Sequence, residues 1–414
     1  MTQQYSLQRT LGFSTVTFYG VGAILGAGIY VLIGEVAGLA GYAAPLSFIV
    51  AAVIAIFSAF SYAELSARFP KSAGEAVYIE QAFGCKWLTI TVGLLVILTG
   101  IVSAATMTTG IVGYAQVFVT LPSFALITVF VIAISAIAIW GIKQSAWLVT
   151  AITVLEVAGL LYVVYVASDN SASLSIPPLP AGAEMDSSVA TGILLGSFLA
   201  FYAYIGFEDM VNIAEEIKQP EKVLPVAIVL ALVIATLLYM LVAYTALSVL
   251  SPAQLSASKA PLADVVISKG YSGSWISLIS LVAVINGAII QIIMASRVIY
   301  GMASRELLPV WLASVNRVTS TPIPATLLCA AAVLILALLF PLSTLAQLTS
   351  LIVLSVFVLV NIALIRLNRR FLVEAKEGKD TGHKTVHFPR WIPYIGAFLC
   401  VGMLLVKASF WWSL

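Results

Sequence analysis

Apolar residues fall into blocks of about 20, separated by short polar breaks. Read from break to break, they predict about eleven helical spans, at 14–38, 43–66, 87–118, 121–141, 145–167, 189–216, 223–249, 273–303, 325–341, 344–366 and 391–411. Blocks of this length cross a hydrocarbon core of about 30 Å as helices. They do not alternate in the short segments that a membrane β-barrel needs. The predicted fold class is therefore an all-α polytopic membrane protein.

Two blocks depart from plain helical patterning. The first holds GVGAILGAGIYVLIG (20–34), with Gly20, Gly22, Gly26 and Gly28 inside it. Each interior glycine costs a helix roughly 0.5–1 kcal/mol relative to alanine. The sixth holds AFYAYIGFEDMVNIAEE (200–216), which places Gly206 and several acids in an apolar register. The two breaks sit roughly 180 residues apart, at matching places in two halves, a pattern that points to an inverted-repeat secondary transporter. The expected organisation is an N-terminal segment at 1–13, a first five-helix repeat at 14–167 and a loop at 168–188. A second repeat follows at 189–366, then a basic loop at 367–390 and an additional helix at 391–414.

Composition agrees with the patterning. Of 414 residues 61% are hydrophobic and 9% charged, against about 25% charged in soluble domains. The net charge of +2 decides little, but its placement decides orientation. With a cytoplasmic N-terminus, all but Lys259, Lys269 and Lys407 of the 20 Lys and Arg fall on the cytoplasmic side. The positive-inside rule then puts the N-terminus in, the loop 168–188 outside and the C-terminus out, in a cell (inner) membrane. Phe410, Trp411 and Trp412 read as an interfacial anchor. The N-terminus lacks the pattern of a cleaved signal peptide. Cys85, Cys329 and Cys400 form no motif, and His383 and His387 lack companions for a metal site. An enzyme is disfavoured, since there is no HExxH site, paired-Asp motif or Ser/His or Ser/Lys dyad, and primary transport lacks its Walker motif.

Four stretches carry a family likeness. GVGAILGAGIYVLIG (20–34), SYAELSARFPKSAGEAVYIEQAFG (61–84), AFYAYIGFEDMVNIAEEIKQPEKVLPVAI (200–228) and ASRVIYGMASRELLP (295–309) occur in the family's order. From about residue 12 to 365 the chain resembles the amino acid–polyamine–organocation transporters, nearest the cationic amino acid transporter-like branch. The resemblance implies a LeuT-like 5+5 inverted repeat with discontinuous helices 1 and 6. It implies amino acid transport by alternating access, with proton-coupled symport or exchange. A polyamine/amino acid antiporter and a non-transporting sensor on the same fold are the alternatives. No cofactor is expected beyond a coupling proton, which is favoured over sodium. The expected partners are the small-molecule substrate and the bilayer, not nucleic acid; a monomer, a homodimer and a partner subunit all stay open.

By the same resemblance, Gly26, Ala27 and Gly28 bind the substrate carboxylate, and the carbonyls of Ile24, Tyr202, Ala203 and Ile205 take its ammonium group. A half-helix N-terminus offers amides and a positive dipole end to an anion. The alternative is that the glycines only pack helices closely. Tyr202 is similar to the family's aromatic gate, or is a packing ring. Glu208 is a candidate proton-exchanging acid, or a structural acceptor for the broken segment. Glu156 aligns with a lysine of several proton-coupled members, so it is either the titrating group, a partner for a cation, or a tie to another helix. Arg297 is expected near an inner gate, pairing Glu64 or an acid of span 6. Asn286 and Gln291 read as interhelical glue. Among Thr99, Ser103, Thr106, Thr108 and Thr109, one or two hydroxyls face the cavity. Residues 261–271 read as a short external lid helix.

Overall fold

The computed structural model describes residues 9, 11–26, 28–70, 74–140, 146–168, 187–316, 319, 321–376 and 388–411. Ala27, His383, His387, Trp412 and most of the loop 168–188 lie outside the described residues, as do the side chains of Asn212, Glu215, Glu216 and Trp411.

Among the described residues regular structure is helical, apart from one isolated parallel bridge between Leu11 and Ile217. Nine stretches are long and apolar enough to cross a membrane. The first, Phe13–Arg68, contains both of the first two predicted spans. A further apolar helix, Ile323–Leu339, has 17 residues and matches predicted span 9. Among the described residues these nine stretches together with Ile323–Leu339 therefore account for the eleven expected spans. Span 1 is Phe13–Leu25 followed by Gly28–Ala40, and span 2 is Ala44–Arg68. Span 3 is Lys86–Ala115, span 4 Ser123–Trp140 and span 5 Ala146–Ser168. Span 6 begins as Ser187–Ala200, span 7 is Pro220–Val249 and span 8 Ser274–Ser304. Leu342–Lys376 and Ile392–Trp411 form spans 10 and 11.

The most extensive helix contacts join span 3 to span 8 and span 2 to span 7. Close approach needs small residues, and the sequence supplies them. A Cβ on Gly100 of span 3 would stand 3.0 Å from the Cβ of Ala295 in span 8. A Cβ on Gly22 would stand within van der Waals overlap of the Thr153 hydroxyl, so span 1 lies directly on span 5. The Thr153 hydroxyl there donates to the carbonyl of Phe18 at 3.1 Å. Lipid gives apolar side chains no reason to avoid the outside, so van der Waals fit and interhelical hydrogen bonds hold such a bundle.

Two short helices lie between spans. Gly74–Phe83 follows span 2 and packs against spans 3 and 10. Pro261–Ser268 forms where a lid helix was expected, and it buries Leu262, Ala263, Val265 and Val266. It packs against spans 1, 5, 7 and 8.

Candidate functional site

Span 1 stops being a helix at Gly26. The Gly26 amide still donates to the carbonyl of Gly22, at 3.0 Å, as the last bond of the first half. The second half starts at Gly28, so its first amides lie at the break with no carbonyl one turn back to receive them. Of the two described glycines expected to offer amides to an anion, Gly26 thus has its donor occupied and Gly28 begins the second half-helix.

Span 6 breaks in a different way. After Ala200 it tightens into a 3-10 turn, Phe201–Tyr204, extends at Ile205 (φ −64°, ψ 136°) and turns sharply at Gly206. Gly206 has φ +127°, a conformation closed to most side chains. A Cβ there would also stand 2.5 Å from the carbonyl oxygen of Ala23. The chain then continues as the 3-10 segment Glu208–Glu216. Glu208 turns back to cap this irregular stretch, its Oε2 accepting from the Gly206 amide at 2.9 Å. That bond is the structural role the sequence left open for Glu208. Its second oxygen, Oε1, is buried without a hydrogen-bond partner among the described residues.

The two breaks touch. A Cβ on Gly28 would fall 2.5 Å from the Cβ of Ala203, so the start of one half-helix lies against the end of the other. Ile24 and Ala203 sit near helix ends, where carbonyls lose their amide partners. Both carbonyls point at one atom, the hydroxyl of Tyr239 on span 7, which lies 2.7 Å from each. Tyr239 is fully buried, with Phe48 and Tyr204 packed on its ring at centroid distances of 5.7 and 5.3 Å.

The structure thus brings Ile24, Gly26, Gly28, Tyr202, Ala203 and Ile205 to one place in the middle of the bundle. Tyr202 is 2% exposed, and its hydroxyl lies 3.2 Å from the hydroxyl and from the carbonyl of Ser103 on span 3. Ser103 therefore meets the break, and the Thr106 hydroxyl also lies beside that of Tyr202. Thr106, Thr108 and Thr109 bond back to carbonyls of their own helix.

Glu156 stands behind this place, on span 5. It is fully buried, and both carboxyl oxygens lack a hydrogen-bond partner among the described residues. Its backbone carbonyl accepts a 2.6 Å bond from Tyr30, whose own carbonyl receives the hydroxyl of Tyr114 at 2.5 Å. Tyr30, Tyr202, Tyr204 and Glu156 surround Tyr239.

A second group of acids lies beyond the span 6 break. Glu75, Glu208 and Asp209 line one cavity with Tyr62 and Thr99, with room for about one water molecule (10 Å3). The Tyr62 hydroxyl donates to Glu75 at 3.4 Å, and Gln291 Nε2 donates to Asp209 at 3.0 Å. Gln291 therefore does act as glue, between spans 8 and 6. Glu75, outside the spans, has its carboxyl pushed up to about 7 because burial disfavours its charged form.

Arg297 is placed differently from expectation. Its side chain is exposed on span 8. Glu64, its expected partner, forms an ion pair with Arg68 one helical turn along span 2. A partner four residues away on one helix face is reached without crossing the bundle.

Tyr239, Tyr30 and Glu75 were not singled out in the sequence. The available signal was weak: a tyrosine inside an apolar helix carries a hydroxyl that needs a partner when buried. Nothing in the spacing says that the partner is a broken helix elsewhere.

A family model described as amino acid permease matches residues 11–411. An uncharacterized transporter of Mycobacterium tuberculosis is 31% identical over 336 residues, covering 80% of this chain and 74% of that one. The branched-chain amino acid permease BcaP of Bacillus subtilis is 30% identical, over 88% of this chain and 82% of its own. The cationic amino acid transporter 3, mitochondrial, of Arabidopsis thaliana is also 30% identical, over 87% of this chain and 62% of its own length.

Proposed function

The chain belongs to the amino acid permease family, and from that premise we propose that it carries an amino acid by alternating access, with the touching breaks of spans 1 and 6 as the binding site. It is an integral multi-pass membrane protein and a transporter rather than an enzyme. The observation that carries the binding reading is the convergence of the Ile24 and Ala203 carbonyls on one point beside Gly28. A helix start offers amides to a carboxylate, and two helix ends offer carbonyls to an ammonium group. An amino acid's common end presents both charges at the matching separation of a single carbon. Irregular backbone at membrane depth is tolerated where it serves such a cavity.

In this reading Gly28 and its neighbours hold the carboxylate, and Ile24, Tyr202, Ala203 and Ile205 hold the ammonium group. Tyr202, latched to Ser103, is the gate over it. The two five-helix halves move against each other as a LeuT-like inverted repeat, a reading supported by the pairing of span 2 with 7 and of span 3 with 8. The lysines and arginines orient the chain with its N-terminus inside, in the cell (inner) membrane.

A proton is the coupling ion in this reading, carried by Glu156. A buried carboxyl group without a partner is costly to keep charged, so it alternates between a neutral form and one compensated by a cation. The same feature favours a second reading, in which Glu156 receives the side-chain cation of a lysine-like or arginine-like substrate.

Purified protein in proteoliposomes, given a panel of labelled branched-chain and cationic amino acids with and without a pH gradient, tests both. Uptake of a neutral amino acid that rises with an inward proton gradient supports the first reading. Selective uptake of cationic amino acids, indifferent to the gradient, supports the second. No uptake of any member, under gradient or exchange conditions, overturns transport.

A further inference from the structure

The Tyr239 hydroxyl occupies the place where the proposed site would receive an ammonium group. It lies 2.7 Å from the Ile24 carbonyl and 2.7 Å from the Ala203 carbonyl, both ends of broken helices. A phenol has one hydrogen to give, so two acceptors share one donor. A substrate ammonium group has three hydrogens and a full charge, and charge-assisted bonds are roughly twice as strong as neutral ones. The hydroxyl and the ammonium group cannot hold the same pair at once.

We infer that Tyr239 is a stand-in for the substrate's ammonium group: its hydroxyl ties the two breaks together while no substrate does, and it yields the carbonyls when substrate binds. The inference rests on the binding reading above and deepens it. It gives Tyr239 a specific kinetic task. Carbonyls left without donors in a buried site are costly, so a carrier returning without substrate needs something to satisfy them. Tyr239 does this in both directions of the cycle. A loaded carrier does not need it, because the ammonium group supplies the donors.

The surroundings fit a residue that stays in place while the breaks move. Phe48 of span 2, outside both breaks, packs on the ring of Tyr239 at 5.7 Å. Gly28 and Ala203 crowd the hydroxyl from the other side, a Cβ on Gly28 falling 2.8 Å from it. Making room for an ammonium group therefore means parting the two breaks from span 7, not rotating the ring. Substrate entry and the parting of the breaks from span 7 become one event.

The test compares exchange with net uptake in proteoliposomes, for the full-length wild type and Tyr239→Phe. Exchange needs only loaded crossings, whereas net uptake needs the unloaded return. In Tyr239→Phe, exchange is expected within about threefold of wild type, with a lower half-saturating concentration because the competitor is gone. Net uptake is expected to fall at least tenfold, so that the exchange-to-net ratio rises. Tyr204→Phe removes a neighbouring hydroxyl that donates to the Phe48 carbonyl of span 2 and to neither Ile24 nor Ala203, and should leave the ratio unchanged. Tyr239→His, which returns an N–H donor, should bring the ratio back towards wild type. Equal losses of exchange and net uptake in Tyr239→Phe, or no change in either, would make Tyr239 a plain structural tie and overturn the inference. Should Tyr239→Phe not purify as a monodisperse species, the ratio is read in Tyr239→Leu, with the same expected and overturning outcomes. Wild-type protein that moves no amino acid in either assay would overturn the transport reading, and this inference with it.

Discussion

The hydroxyl of Tyr30 donates a 2.6 Å hydrogen bond to the backbone carbonyl of Glu156. This bond fixes the second half of span 1 to the centre of span 5, at the residue whose carboxyl group has no hydrogen-bond partner among the described residues. A movement of the half-helix proposed to bind substrate is therefore felt at the acid proposed to carry the proton. Glu156→Gln keeps the shape of the side chain and removes its titration. Stimulation of uptake by an inward proton gradient is expected to disappear, a loss of about tenfold or more, while substrate binding by isothermal calorimetry stays measurable. Gradient-stimulated uptake at wild-type level in Glu156→Gln would return Glu156 to a structural role.

Gly28 and Gly206 are predicted to be intolerant for different reasons. A methyl group at 28 meets Ala203 and forces the two breaks apart, since its Cβ would lie 2.5 Å from that of Ala203. At 206 the difficulty is the backbone itself, at φ +127°, together with the Ala23 carbonyl. Overpacking of this kind costs typically about 1–3 kcal/mol. Gly28→Ala is expected to lower exchange at least tenfold with a modest loss of thermal stability. Gly206→Ala is expected to lower both together. A freely exchanging Gly28→Ala protein would show that the breaks do not need this contact.

Glu75 gives a pH dependence of stability rather than of transport. Its carboxyl is raised from 4.5 to about 7 by burial, facing Glu208 and Asp209 across the cavity, with the Tyr62 hydroxyl and its own backbone amide as donors that only partly offset the shift. Because the folded value lies above the unfolded one, the folded state keeps the proton longer. The contribution is intact below about pH 4.5 and is lost as pH rises through about 7. At 1.36 kcal/mol per unit, the loss is on the order of 3 kcal/mol. The Tm of the detergent-solubilised wild type is expected to fall between pH 5 and pH 8, and Glu75→Gln to flatten that fall. Equal slopes for the two proteins would place the sensitivity elsewhere, with Glu208 and Asp209 the next groups to replace.

Much of the architecture was legible because bilayer thickness fixes block length. Apolar blocks matched the spans to within a few residues except at span 10, whose helix runs ten residues past the predicted end into the expected basic loop, and the glycines of span 1 together with Gly206 marked both breaks. The short helix Pro261–Ser268 was legible too, from a proline start and an apolar face. What could not be read was pairing across the chain. Glu64 is bound by Arg68 rather than Arg297, and charge alone does not choose between two reachable arginines. Tyr239 lies 215 residues from the Ile24 carbonyl it touches, and no local pattern encodes a contact of that kind. Gly26 shows a subtler limit: glycine says that a helix can break, while the last hydrogen bond decides which amide is released.

Asn361 offers a test of how the last span is held. It lies on span 10, fully buried, and its amide group donates to the Ser58 hydroxyl at 3.0 Å and to the Phe357 carbonyl at 2.8 Å. Its oxygen accepts from Ser61 at 2.6 Å, and Gly396 of span 11 lies directly against it, a Cβ there falling 2.5 Å from that oxygen. One side chain thus joins span 10 to span 2 and lets span 11 pack closely over both. Asn361→Ala removes donor and acceptor together and leaves Ser58 and Ser61 with only their longer 3.5 Å contacts to Cys400 Sγ and the Phe57 carbonyl, at a cost of about 0.5–1.5 kcal/mol for each hydrogen bond lost. The hydrogen bonds of this network reach no residue of either break, although the ring of Phe357 packs on Phe201 of the span 6 break at 5.8 Å. The expected result is a Tm lowered by several degrees, with the exchange rate per folded molecule and its half-saturating concentration within about twofold of wild type. A changed half-saturating concentration at unchanged Tm would instead tie spans 10 and 11 to the binding site.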